Sequence, residues 1–177
     1  MKTPVLPNMM PKLQKLFEDE LRNIFSAEIA LLNTMSKMME DASSRSLKSA
    51  LLEHLFETKG QVSRIERIFA QLGKRPMIGI CEAIERLISD ANQMMAYSDP
   101  GAIKDAGIII IAQKIEHYEI ASYGTLRNFA FTLGFKEAES MLEETLSEEK
   151  AADQKLTEIA VSEVNVDAAI ELEEVAN

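Results

Sequence analysis

The chain has no tryptophan, a single cysteine, seven glycines and five prolines among 177 residues. With Cys81 alone, no internal disulfide can form, and a cage of thiolates around a metal is excluded. The prolines fall between periodic segments or at their first position, so long stretches contain nothing that breaks a helix, although Gly60, Gly107 and Gly124 lie inside them. No run approaches the ~20 apolar residues that cross a membrane; the longest, "GIIIIA", is far too short. Basic residues are also the minority, 19 against 29 acidic ones, for a formal net charge of -10. That balance argues against nucleic acid and anionic membrane surfaces as partners, since both require a basic face, and it is compatible with attracting cations. The opening "MKTPVLPNMMPKLQKLF" carries three prolines and lacks the apolar core of a secretory signal, so a cytoplasmic protein is expected.

What the chain does have is helical periodicity. A hydrophobic share of 46% with 27% charged residues describes a globular chain rather than a disordered one, and its length suits one domain spanning 1–177. Apolar spacing predicts helices over about 12–41, 46–72, 80–96, 100–133 and 136–160, followed by a tail, 161–177. In that tail "VNVDAAIELEEV" adds a short helix with Asn165 as its cap. "DASSRS" separates the first two helices and offers serine caps, "GKRP" ends the second through Gly73 and Pro76, and Gly134 ends the 100–133 helix. "SDPG" reads as a helix start, with Asp99 capping and Pro100 in first position. Two helix pairs, each joined by a short turn, are separated by a long connection holding the extra short helix. The expected fold is all-α, a ferritin-like four-helix bundle.

The informative acidic residues are those that interrupt the apolar seams. In the first helix Phe17, Ile24, Leu31 and Met38 share one heptad position, and Leu21, Glu28 and Met35 share its partner. Glu18, Asp19 and Glu40 fall elsewhere, as surface charges. In the 100–133 helix Glu116 lies in register with Ile109, Tyr123 and Ala130, while Glu119 lies with Ala112, Leu126 and Leu133. Both glutamates of "EHYE" therefore point inward, with His117 turned about 100° away to the flank. Glu149 sits between Leu142 and Leu156 on the next helix, with Asp153 at the border one turn later. The second helix places His54 on its seam and Glu57 at the edge.

In a bundle, Glu28, Glu57, Glu116, Glu119 and Glu149 crowd one level, where unpaired charge is costly. Either several hold protons through raised pKa values, or divalent cations neutralise them. One glutamate on a seam is ordinarily a border residue that reaches for solvent; the same interruption on four helices favours the metal. Carboxylates with histidine suit iron or manganese, and bridging carboxylates can hold two such ions. His54 divides evenly between ligand and satisfied core histidine. Cys81 reads as a small buried hydrophobe.

"AEIALLNTM", "LLEHLFETKGQVSRIERIFAQLGKRP", "QKIEHYEIASYGTLRNFAFTLG" and "LEETLSEEKAADQKLTEIA" resemble the YciF-like family of bacterial stress-associated ferritin-like proteins, from about Leu13 to Val166. The resemblance implies a four-helix ferritin-like domain with an added helix, a homodimer, and a dinuclear metal site; it implies no established reaction. More distantly, the glutamate spacing is similar to that of rubrerythrins. Glu116 and Glu119 match their third-helix pair, Glu149 the glutamate of their fourth-helix Glu-x-x-His motif, and Glu28 their first-helix ligand. Ala152 stands where that histidine falls, and the second helix reads His54-x-x-Glu57, the reverse order. Asp153 is the candidate substitute, so the expected ligands are Glu28, His54, Glu57, Glu116, Glu119, Glu149 and Asp153. Two function classes follow: metal chemistry on peroxide, dioxygen or iron, or a non-catalytic interaction protein whose carboxylates hold an ion for stability.

Overall fold

A computed structural model describes residues 10–97 and 99–175. The opening residues 1–9, read above as carrying no secretory signal, lie outside the described residues. The described chain forms α1 (Pro11–Asp41), α2 (Arg45–Gln71), α3 (Glu82–Tyr97), α4 (Ala102–Leu133) and α5 (Lys136–Ile159). A π-helical turn, Ala160–Val164, leads from α5 into α6 (Asn165–Val175). There is no strand among the described residues, and no helix there is long and apolar enough to cross a membrane.

The breaks follow local chemistry. Ser44 caps α2 by accepting the Leu47 N–H at 3.2 Å. Gly73 (φ 68°) and Gly134 (φ 77°) adopt the left-handed conformation that ends α2 and α4. In each case the glycine N–H and the next N–H turn back onto the last helical turn: Gly134 to Phe131 O and Phe135 to Ala130 O, Gly73 to Ala70 O and Lys74 to Phe69 O.

Two capping assignments differ from the sequence expectation. α4 begins at Ala102, with Gly101 rather than Asp99 in the capping position, because Pro100 and Gly101 form a bend ahead of the helix. Asn165 is itself helical (φ −69°, ψ −31°) and caps nothing. No glycine or proline interrupts 136–175, so the helix continues by widening one turn, with Val164 buried and Glu163 held by the hydroxyls of Ser44 and Ser46. Glu18, assigned above to the surface, is buried and paired with Lys74 from the chain just past Gly73.

α1, α2, α5 and α4 pack in a ring, with α3 outside against α1 and α4. Their directions are fixed by named contacts. The Asp105 carboxylate, at the start of α4, accepts the N–H groups of Ser43 and Ser44 at 2.7 Å each, so α4 starts at the same end as α2. The Glu18–Lys74 pair puts the end of α2 beside the start of α1. The link from α2 to α4 must then traverse the bundle, and Gly79 N–H bonding Ser26 Oγ midway along α1 marks its path. This is the ferritin-like arrangement of two antiparallel pairs joined by a crossover.

α3 is seated through a close approach at Gly107, where an added Cβ would collide with Met94 Sδ and lie 2.6 Å from its Cγ. Gly107→Ala is expected to destabilise the fold by about 1 kcal/mol, the overpacking outweighing the gain in helix propensity. In a Met94→Ala background the same change should become stabilising. Thermal unfolding of the four proteins of this cycle reads the sign inversion, and equal effects in both backgrounds would remove the contact as its cause.

Candidate metal centre

Each helix of the ring carries its polar residue inward at one level. The seam positions of α1 and α4 are otherwise almost fully apolar, and Glu28, Glu116 and Glu119 are at most 3% exposed. Glu149 on α5 is wholly buried, and His54 on α2 is 6% exposed. Side-chain donor atoms of His54, Glu116, Glu119 and Glu149 all lie within 4.8 Å of one another. His54 Nε2 is 3.2 Å from Glu116 Oε1 and 3.5 Å from Glu149 Oε2.

A ring of partners fixes these groups. His54 Nδ1 lies 3.1 Å from Glu57 Oε2; a carboxylate only accepts, so the proton sits on Nδ1. Tyr123, fully buried one turn beyond Glu119, donates its hydroxyl to Glu28 Oε1. Gln61 donates to Glu149 Oε1 at 2.5 Å and to Glu148 Oε2 at 3.1 Å. Arg64, one turn on from Gln61, clamps Glu148 at 2.5 and 2.7 Å, with Glu144 and Thr145 beside it.

The remaining lone pairs have nothing to bond. Among the described residues, the buried side-chain atoms without a hydrogen-bond partner are Glu28 Oε2, His54 Nε2, Gln61 Oε1, Glu116 Oε2, Glu119 Oε1, Glu149 Oε2 and, away from this site, Arg127 Nε. Buried polar atoms are rarely left unpaired, and six together are the signature of a group that belongs among them. Five of the six are oxygens and the sixth is an imidazole nitrogen, which is the donor set of a hard or borderline cation.

The electrostatics agree. Burial pushes the carboxyls of Glu28, Glu116 and Glu119 well above the ordinary range, reinforced by Glu149 for the first two and by Glu28 for the third. Glu149 is raised by burial, with the His54 charge opposing. For His54, burial disfavours the cation, but the Glu57 bond and the Glu149 charge more than offset it and raise its pKa. Without a metal, protons and the His54 imidazolium do the neutralising.

Two of the sequence candidates stand apart. Glu57 touches the cluster only through His54 and is a third exposed. Asp153 faces the flank: its Oδ1 is 3.4 Å from His117 Nδ1 and accepts from Gln113 Nε2 at 3.2 Å. His117 lies on the surface, its Nδ1 2.9 Å from Gln113 O. The Arg64–Glu148 clamp escaped sequence reasoning, although Gln61 and Arg64 at i and i+3 face Glu144 and Glu148 at i and i+4 across two neighbouring helices. The contact between Cys81 Sγ and Tyr118 Oη, 3.1 Å, had no sequence signal.

Known proteins share this framework. The family model described as Domain of unknown function (DUF892) matches residues 12–169. Protein YciF of Escherichia coli (strain K12) is 40% identical over 157 residues, covering 88% of this chain and 95% of that protein. The crystal structure of that E. coli stress protein superposes with a TM-score of 0.83 at 39% identity, covering 88% of this chain and 99% of that one. YcfI from Rhodopseudomonas palustris, described as a candidate structural protein, superposes at 0.79 with 38% identity over 84% of this chain and 94% of its own. The dodecameric thioferritin of Bacteroides fragilis, a bacterioferritin-related protein, reaches 0.68 at 15% identity over 96% and 95% of the two chains, a likeness of fold alone. With the family model matching residues 12–169 and 40% identity to YciF over 95% of that protein, the chain belongs to the DUF892 family, the family of the E. coli stress protein YciF.

Proposed function

We propose that the chain holds a dinuclear iron or manganese centre and uses it on peroxide, dioxygen or iron under stress. The observation that carries this reading is the set of six unpartnered buried atoms on Glu28, His54, Gln61, Glu116, Glu119 and Glu149. Glu28, Glu116, Glu119, Glu149 and His54 Nε2 are the ligands, and Glu57 orients the imidazole from behind. Asp153 is assigned to the flank, where it pairs with His117. Bound ions of this kind supply a redox couple and Lewis acidity to a small oxidant. The protein's own contribution is positional. Gln61 and the Arg64–Glu148 clamp hold one oxygen of Glu149 and leave the other free. Burial and Glu28 keep the Tyr123 phenol protonated well above its usual pKa, so it remains a fixed donor to Glu28.

A second reading has a specific support: YcfI, at 38% identity, is described as a candidate structural protein. There the same cluster would hold an ion for stability only.

Elemental analysis and turnover separate the two. The expected result is about two transition-metal ions per chain, as ferritin-like carboxylate sites hold, with peroxide consumption abolished in Glu116→Ala. Glu149→Ala should lower the metal content; unchanged stoichiometry would remove Glu149 from the ligand set. Metal-loaded protein without turnover would leave the structural reading, and protein that takes up no metal would exclude both.

A further inference from the structure

Between α2 and α5 lies a pocket of about 80 Å³ whose lining passes from exposed Glu53 and Lys155 to buried His54 and Glu116. Alanines, Ala50 on α2 and Ala151 and Ala152 on α5, form part of its walls beside Leu51 and Leu156. The Lys155 ammonium and the Glu53 carboxylate, from opposite helices, form an ion pair among these lining residues. Glu28, Glu119 and Glu149 do not line it. Solvent therefore approaches the cluster through this pocket from the His54–Glu116 side, while Tyr123 and Gln61 each hold one oxygen of Glu28 and Glu149.

We propose that this pocket is the entrance through which an oxidant of two or three heavy atoms, hydrogen peroxide or dioxygen, reaches the centre. Ala152 sets its bore, and the Lys155–Glu53 pair bridges its rim. The inference rests on the metal reading above and adds to it a route of entry and a size limit on the oxidant. The volume is about half of the ~150 Å³ that accommodates benzene in an engineered apolar cavity, so aryl and branched alkyl hydroperoxides are excluded by size. The two cluster residues in the lining, His54 and Glu116, each carry an unpartnered buried atom, Nε2 and Oε2. A larger residue at position 152 would fill the passage that joins them to solvent. The rim pair is exposed on both sides, so it is a removable bridge rather than a structural tie.

The test uses the metal-loaded full chain and azide, a linear three-atom anion, followed by stopped-flow absorbance. Ala152→Leu is expected to retain its metal while azide association slows at least about tenfold, a barrier increase of about 1.4 kcal/mol. Glu53→Ala, which opens the rim and leaves the Lys155 charge to attract the anion, should instead accelerate it. Hydrogen peroxide should be consumed by the wild type and tert-butyl hydroperoxide should not. If Ala152→Leu fails to load, Ala151→Leu, a change on an exposed part of the same wall, decides by the same readout. A loaded Ala152→Leu or Ala151→Leu protein with the wild-type azide rate overturns the entrance and leaves the metal reading intact. A wild-type chain that binds no metal removes both.

Discussion

Glu119→Gln is expected to bind about one transition-metal ion fewer per chain than the wild type and, once chelated, to be the more stable of the two at pH 8. The opposite signs have one cause. Glu119 is 1% exposed, its Oε1 has no partner, and burial together with Glu28, Glu149 and Glu116 drives its pKa well up. In the metal-free chain the folded state must keep a proton on this carboxyl that the unfolded chain gives up near the ordinary value of 4.5. Holding that proton costs about 1.4 kcal/mol for each pH unit above the unfolded pKa, until the folded pKa is reached. Glutamine has the shape of the protonated acid and escapes this cost, which for a chain of this size amounts to about 3 °C of melting temperature per unit. The advantage should shrink to about 0.4 kcal/mol at pH 4.5, where the unfolded wild-type carboxyl is half protonated, and vanish at lower pH. Calorimetry of the chelated proteins at the two pH values, with elemental analysis of the loaded ones, reads both arms. A variant that binds metal normally, or that gains equally at both pH values, would show that Glu119 is not a strained acid awaiting a cation.

Such strain could be read from the sequence because the seams of α1 and α4 are otherwise apolar. A heptad register placed on Phe17, Ile24, Leu31 and Met38 leaves Glu28 no alternative to burial, and Ile109 with Ala130 does the same for Glu116. The crossover was equally legible, since the segment between Gly73 and Ala102 is far too long for a hairpin turn and must contain an element of its own. Border positions were less so. Glu18 looked like a surface residue because its partner Lys74 comes from the far end of α2, and only the assembled bundle brings the two together. Asp153 and Glu57 lie at similar angular distance from their seams, yet Glu57 reaches His54 on its own helix, while Asp153 meets Gln113 and His117 on the outer side of α4. α5 ends at Ile159, as the spacing predicted, but the continuity beyond it was not legible. A single widened turn at Ala160–Val164 carries the helix past the expected stop, and the tie that anchors it, Glu163 to Ser44 and Ser46, spans most of the chain.

The chelated wild-type chain is expected to lose stability as pH rises from about 4.5 to 8, and metal should reverse that slope. Glu28, Glu116, Glu119 and Glu149 all have folded pKa values above the ordinary 4.5. Each therefore binds more protons folded than unfolded, so its contribution is complete below 4.5 and is lost as pH climbs towards the folded value. His54, raised above 6.5, acts in the same direction across neutral pH. Glu18, Asp19, Glu53 and Glu163 have lowered pKa values, and their contribution disappears instead on the acid side, as pH falls through the folded values. Asp19, Glu53 and Glu163 are largely solvent-screened and Glu18, though buried, pairs with a half-exposed Lys74, so the four limit stability below about pH 4.5 without cancelling the loss above it. The metal-free chain should thus be most stable near pH 5 and melt at least about 5 °C lower at pH 8. Mn²⁺ replaces the protons on the carboxylates and on His54 Nε2, so its affinity must grow with pH and its stabilisation must be greatest where the chelated protein is weakest. Melting curves at fixed ionic strength, with chelator and with excess Mn²⁺, measure the two slopes. A chelated protein whose midpoint is flat or rising between pH 5 and 8 would mean that the buried carboxyls are already neutralised by groups other than a metal.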